Sequence, residues 1–153
     1  MIVFANQGDE EALREILLEY DMDISGDIED HIVIKDKTEI MGGAKIGIYD
    51  HRFYLEVFGV KSDSRGQGLG GILLSELIKH PWKYCAECQT DPLSESRFIM
   101  TTVARGTASG FYKTYGFESC SFSEIPEPFR DQCDFCPTKD DCNPIPMIYF
   151  GGY

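Results

Sequence analysis

Apolar residues in this chain recur at two different spacings, and each change of spacing marks an element boundary. Leu13, Ile16, Leu17 and Tyr20 follow helical spacing, with Asp9 placed to cap the helix they predict. Met1 to Asn6 and His31 to Asp36 are short strand-like runs, and Asp36 to Glu39 turns the chain into a longer strand, Ile40 to Tyr49. Gly42 and Gly43 inside that strand predict a bulge. Asp50-His51 makes a hairpin into Arg52 to Val60, which is rich in aromatic and β-branched residues. From Gly70 to His80, Ile72, Leu73, Leu74, Leu77 and Ile78 supply the apolar face of a second helix. An irregular segment, Pro81 to Ser96, precedes a fifth strand at Phe98 to Ala104. A short helix, Thr107 to Thr114, is ended by Gly116, and strands follow at Phe117 to Ser121 and Met147 to Phe150. The order predicts an α+β domain built on a mostly antiparallel sheet with helices inserted.

At 153 residues, 42% of them hydrophobic, the chain is long enough for one core and too short for two, so residues 1–153 are expected to form a single domain. The net charge of −12 would repel nucleic acid and anionic membrane, and it favours a cationic or amine-bearing partner. No apolar run approaches the length of a membrane span, and Met1 to Asn6 carries no basic leader, so the expected location is cytoplasmic. The stretch Asp21 to Asp30 holds five acidic residues and reads as a loop with room for a short helix. A second shift of composition begins after Ser121, where prolines, cysteines and aspartates concentrate in a loop of about residues 121–146.

Arg65-Gly66-Gln67-Gly68-Leu69-Gly70 lies between the strand that ends at Val60 and the second helix. Glycines there let the backbone turn sharply and bring its N–H groups against an anion, to which the helix N-terminus adds partial positive charge and Arg65 a full one. It is not a nucleotide P-loop, since no Gly-Lys-Ser or Gly-Lys-Thr ends it.

That loop, together with Phe111-Tyr112-Lys113-Thr114-Tyr115-Gly116-Phe117, resembles the two hallmark motifs of the GCN5-related N-acetyltransferase (GNAT) superfamily. The resemblance covers almost the whole chain and implies a mixed, mostly antiparallel seven-stranded sheet flanked by about four helices. It implies that acetyl-coenzyme A is the cosubstrate, with its pyrophosphate held by the backbone of Arg65, Gly66, Gln67, Gly68, Leu69 and Gly70. Pantetheine would pair with the strand end Phe58-Gly59-Val60, which splays from the fifth strand, and the N–H near Val60 would polarise the thioester carbonyl. The implied reaction is direct attack by the amine of a small molecule on the thioester. Arg105-Gly106-Thr107-Ala108 at the start of the tyrosine helix, with the acidic loop 21–30, looks like the amino-acid N-acetyltransferases related to N-acetylglutamate synthase. Homodimers are common for this resemblance. The alternative is a non-catalytic relative that senses coenzyme A or a metal.

The reaction needs an acid for the departing thiolate and a base for the amine proton. Tyr112 is the candidate acid, because a phenol with a pKa of about 10 is protonated at neutral pH. Its other reading is packing against the sheet. Glu56 is the candidate base, since the two-residue period of a strand puts it on one face with Phe58 and Val60. His31 and His51, at a strand end and a turn, read as solvated.

Six cysteines in an intracellular chain point away from disulfides. Cys133 and Cys136 form a pair at chelate spacing with Cys142 nearby, and Cys85 and Cys88 form another, so two pairs could make a four-thiolate zinc site. Cys120 could instead join the first three, or the set could bind an iron–sulfur cluster. Free thiols are the remaining reading.

Overall fold

The computed structural model describes residues 1–61, 68–88, 97–127, 129–130 and 143–152. Its elements are β1 (Ile2–Phe4), α1 (Glu10–Leu18), β2 (Ile32–Asp36), β3 (Glu39–Tyr49), β4 (Arg52–Val60), α2 (Leu69–Lys79), α3 (Pro81–Tyr84), β5 (Phe98–Ala104), α4 (Ser109–Thr114), β6 (Glu118–Ser119) and β7 (Ile145–Gly151). The strands form one open seven-stranded sheet in the order β1-β2-β3-β4-β5-β7-β6. The β4–β5 pair is parallel, while β1–β2, β2–β3, β5–β7 and β6–β7 are antiparallel. The expected α+β fold with seven strands and four helices is therefore present. Contacts divide the chain into two compact units, Met1–Gly47 with Leu55–Ser94 and Ile48–Tyr54 with Glu95–Tyr153.

In the first unit, α1 buries Leu13, Ile16 and Leu17, the residues its spacing selects. They pack with Ala5, Ile28, Val33, Ile40 and Val57, and each Leu, Ile or Val side chain so removed from water contributes about 1.5–3 kcal/mol. Asp9 acts at the helix start in another way than expected. Its own side chain caps nothing in α1 and instead accepts from the Asn6 N–H, closing a capping box in which Asn6 caps the preceding turn. α2 buries Leu73, Leu74 and Leu77, but Ile72 is 51% exposed. Three inward positions complete the seam of an eleven-residue helix, and Ile72, one residue out of phase, falls outside it. Pro81 opens α3, with its fixed φ suited to a first helical position, so the segment expected to be irregular carries a short helix and a turn at Ala86–Cys88.

The bulge expected near Gly42 and Gly43 lies beside them. Register passes from Ile34↔Gly42 to Lys35↔Ile40, leaving Met41 as the extra residue of β3. Its carbonyl accepts from the Lys61 N–H at 2.8 Å, just past the end of β4.

In the second unit, β5 and β7 pair along seven residues, from Phe98↔Gly151 to Ala104↔Ile145. The hairpin before β4 turns through Asp50 and His51 at φ 53 and 65, the double left-handed geometry of a two-residue turn whose twist suits paired strands. β6 is only two residues long: Cys120 N–H still bonds the Pro146 carbonyl, but Pro146 has no N–H to return, and the chain turns at Phe122–Glu124.

Candidate functional site

Two expected binding pieces belong to the first unit: the end of β4 and the start of α2. Arg65, Gly66 and Gln67 lie outside the described residues. Gly68 is the N-cap of α2 at φ 76, a left-handed conformation that glycine adopts without strain. Among the described residues nothing stands within 4 Å of where its Cβ would be. The first N–H groups of a helix have no partner within it, so Leu69, Gly70 and Gly71 present donors and the positive end of the dipole at an open position. The geometry suits an anion there.

Phe58, Gly59 and Val60 close β4. Gly59 is pressed from both sides. A Cβ on it would come 3.0 Å from Cδ2 of the Tyr20 ring, while a Cβ on Gly42 would come 2.6 Å from the Gly59 carbonyl oxygen. The Tyr20 hydroxyl donates to the Val60 carbonyl. Helical spacing predicts only a place on an apolar helix face for Tyr20, because nothing in that spacing announces where a phenol hydroxyl goes.

Glu56 is the hub of a buried polar cluster. Its side chain is 3% exposed, with Lys45 Nζ 3.5 Å from Oε2 and the Ser25 hydroxyl donating to Oε1 at 2.8 Å. Lys45 also donates to the Ser25 carbonyl at 2.8 Å, and the Ser25 N–H donates to His31 Nε2 at 3.1 Å. Since Nε2 accepts, the neutral ring carries its proton on Nδ1, which stands 2.9 Å from the Asp27 carbonyl oxygen. His31 is therefore not solvated as expected but fully buried, whereas His51 is exposed. Burial pushes the His31 pKa down, its bond to Asp27 opposes this, and the Lys45 ammonium adds to the fall. Ser25 and Lys45 were not singled out by sequence. Four groups far apart in the chain meet here, and no local spacing encodes that.

Tyr112 belongs to the second unit. It is 7% exposed, and its ring meets Phe117 edge to face at 5.4 Å and Phe111 at 5.4 Å. Burial drives the phenol pKa upward, so the hydroxyl stays protonated through the working range. The spacing of the second motif has a structural cause. Gly116, at φ 101, lets its N–H reach the Lys113 carbonyl at 3.1 Å and lets the Phe117 N–H reach the Tyr112 carbonyl at 3.1 Å. This is the Schellman ending of a helix, and the Phe117–Tyr112 ring contact is the apolar closure that accompanies it.

Cys133, Cys136 and Cys142 lie outside the described residues. Cys85 and Cys88 are buried, Cys120 is half-buried, and none of the three is joined in a disulfide. Burial, reinforced by Cys88, pushes the Cys85 thiol up to about 12. Among the described residues no group of three or more His, Cys, Asp or Glu side chains is arranged to hold a metal, so these three cysteines do not make a zinc or iron–sulfur site by themselves. No helix among the described residues is long and apolar enough to cross a membrane.

Residues 27–119 match the model of the acetyltransferase (GNAT) domain. No curated protein matches the chain in sequence. Similar solved structures include N-acetylglutamate synthase from Neisseria gonorrhoeae complexed with coenzyme A and N-acetyl-glutamate, at TM-score 0.72 and 16% identity. That match covers 98% of this chain but 34% of the synthase, so the chain spans about a third of its length. The ribosomal-protein-S18-alanine N-acetyltransferase of Escherichia coli is similar at TM-score 0.69 and 18% identity, with 100% of this chain and 94% of that one covered. Tetrahymena GCN5 is similar at TM-score 0.62 and 18% identity, covering 99% and 96%.

Proposed function

Because the chain belongs to the GNAT acetyltransferase family, we propose that it is an acetyl-coenzyme A-dependent N-acetyltransferase acting on the amine of a small molecule by direct attack. The observation that carries the reading is the family match together with the start of α2, where Gly68 holds a left-handed N-cap with no described residue within 4 Å of an added Cβ. In this reading the backbone from Arg65 to Gly70 holds the cosubstrate's pyrophosphate. Phe58, Gly59 and Val60 hold its pantetheine arm, and the Val60 N–H polarises the thioester oxygen. Acetyl-coenzyme A supplies an acetyl group already activated as a thioester.

Glu56 is the base that takes the amine proton. It precedes Val60 by four strand residues, roughly 13 Å of extended chain, so the proton passes through water or the Ser25 hydroxyl. Tyr112 is the proton donor to the departing sulfur. An amino acid is the proposed acceptor. The acidic balance of the chain favours an amine-bearing partner, and the similar synthase of Neisseria gonorrhoeae was complexed with N-acetyl-glutamate.

Calorimetry with acetyl-coenzyme A tests the first half of the reading, and a screen of amino acids and polyamines, read by release of free thiol, tests the second. Binding with heat, followed by thiol release that depends on one class of amine, is the expected result. Absence of any binding heat across buffers and temperatures would remove the proposal.

A further inference from the structure

Resting on that reading of Val60, we propose that Tyr20 is a positioning residue that fixes the thioester-polarising N–H at the end of β4. The peptide unit joining Val60 to Lys61 is gripped at both ends. Its carbonyl accepts from the Tyr20 hydroxyl, and its N–H donates to the carbonyl of Met41, the extra residue of the β3 bulge. The neighbouring unit, joining Gly59 to Val60, carries the N–H that faces the substrate. Glycine at 59 would ordinarily leave that unit free to rotate. Here the Tyr20 ring covers one side of Gly59, close enough that an added Cβ would stand 3.0 and 3.1 Å from two ring carbons. Gly42 closes in near the Gly59 carbonyl and the Val60 Cα, where its own added Cβ would stand at 2.6 and 2.9 Å.

Tyr20 is itself anchored by its N–H to the Leu17 carbonyl at 2.9 Å, just beyond the last turn of α1. The rigid helix thus sets the orientation of a backbone donor that has no side chain of its own to direct it. A donor aimed in advance gains far more than one that must reorient during the reaction, and small misplacements are costly.

Tyr20→Phe keeps the ring on Gly59 and deletes the hydroxyl. Gly59→Ala keeps the hydroxyl and pushes the ring away. Both are compared with the unaltered protein for affinity toward desulfo-coenzyme A, for kcat and KM, and for the carbonyl stretch of bound carbon-13-labelled acetyl-coenzyme A. The unaltered protein should lower that stretch relative to solution. In both variants the stretch should return toward its solution value and kcat should fall by roughly tenfold or more, and in Tyr20→Phe, which alters no group that touches the cosubstrate, desulfo-coenzyme A affinity should stay within about twofold. A lowered stretch and an unchanged kcat in Tyr20→Phe would overturn the positioning role while leaving the acetyltransferase reading intact. Failure of the unaltered protein to bind acetyl-coenzyme A would overturn that reading and this inference with it.

Discussion

Replacing Glu56 separates a base from a structural anchor, because its two roles respond differently to alanine and to glutamine. Glu56→Ala leaves the Lys45 ammonium, 15% exposed, without its carboxylate, and leaves the Ser25 hydroxyl without its acceptor. Removing one partner of a buried pair costs about 3–5 kcal/mol. Lys45 keeps its bond to the Ser25 carbonyl, which places the loss at the lower end, and the stranded hydroxyl adds about 1 kcal/mol. The sum, about 4 kcal/mol, should lower Tm by roughly 8–16 °C in a chain of this size. Glu56→Gln keeps an oxygen for Ser25 and a dipole for Lys45, so its cost should be only about 1–2 kcal/mol.

Activity should order the variants otherwise. A general base contributes about 10²–10⁴-fold, and neither alanine nor glutamine can accept the proton, so both should lose kcat by a similar factor. In both, the residual rate should climb about tenfold per pH unit until the free amine is neutral. Thermal melts and a steady-state pH profile on the two purified variants make the test. If Glu56→Gln keeps kcat/KM within about threefold of the unaltered protein, the base assignment fails and Glu56 is an anchor alone. If Glu56→Ala shifts Tm by less than about 2 °C, the buried-pair reasoning fails instead.

Three further outcomes are expected. Gly68→Asn should keep Tm, since Asn tolerates the left-handed conformation and an added Cβ meets no described residue within 4 Å, whereas Gly68→Val should lose about 1–2 kcal/mol. Both should weaken coenzyme A binding in calorimetry, and unchanged affinity in Gly68→Val would exclude an anion at the start of α2. His31 has a folded-state pKa below its unfolded value of about 6.5, so its contribution to stability is present above that pH and lost as pH falls through the folded value. Tm should therefore decline between pH 7 and acid more steeply in the unaltered protein than in His31→Gln, and equal slopes would count against the neutral ring. Tyr112→Phe should keep Tm nearly unchanged, because the edge-to-face contact with Phe117 survives, and should lower kcat. Since burial raises its phenol pKa, any basic limb of the rate profile below a pH of about 10 should persist in that variant; its disappearance would mean that Tyr112 titrates far lower than its surroundings dictate.

Element positions were readable wherever one periodicity ran long enough to be unambiguous. The fifth strand falls on Phe98–Ala104 as expected, and β4 and α2 match to within a residue at either end. The readings that changed are those in which distant chain decides. A strand end predicts a solvated His31, but Ser25 and Asp27 bond both of its ring nitrogens and the Lys45 charge acts on it. Charge alone predicts a loop for the acidic stretch 21–30. It also holds Ile28, which is buried in the core, and Ser25, whose backbone and side chain are engaged by three residues of the strand region. Composition reports the average of a segment, whereas one buried contact fixes where it lies.

The second motif shows why a site can be legible in outline and silent in its chemistry. Tyr112, Gly116 and Phe117 stand at the spacing of a Schellman ending, in which glycine is required by a positive φ and the flanking aromatic pair by packing. Those demands make the pattern recognisable, yet phenylalanine at 112 would satisfy all of them. The hydroxyl is therefore the one part of the motif that helix geometry does not call for. The same holds for Tyr20, whose ring fits an apolar helix face while its hydroxyl reaches a strand carbonyl forty residues on. In both cases the removal of a single oxygen leaves packing intact, so any loss of turnover it causes must come from the proton donor or hydrogen bond that the oxygen provides.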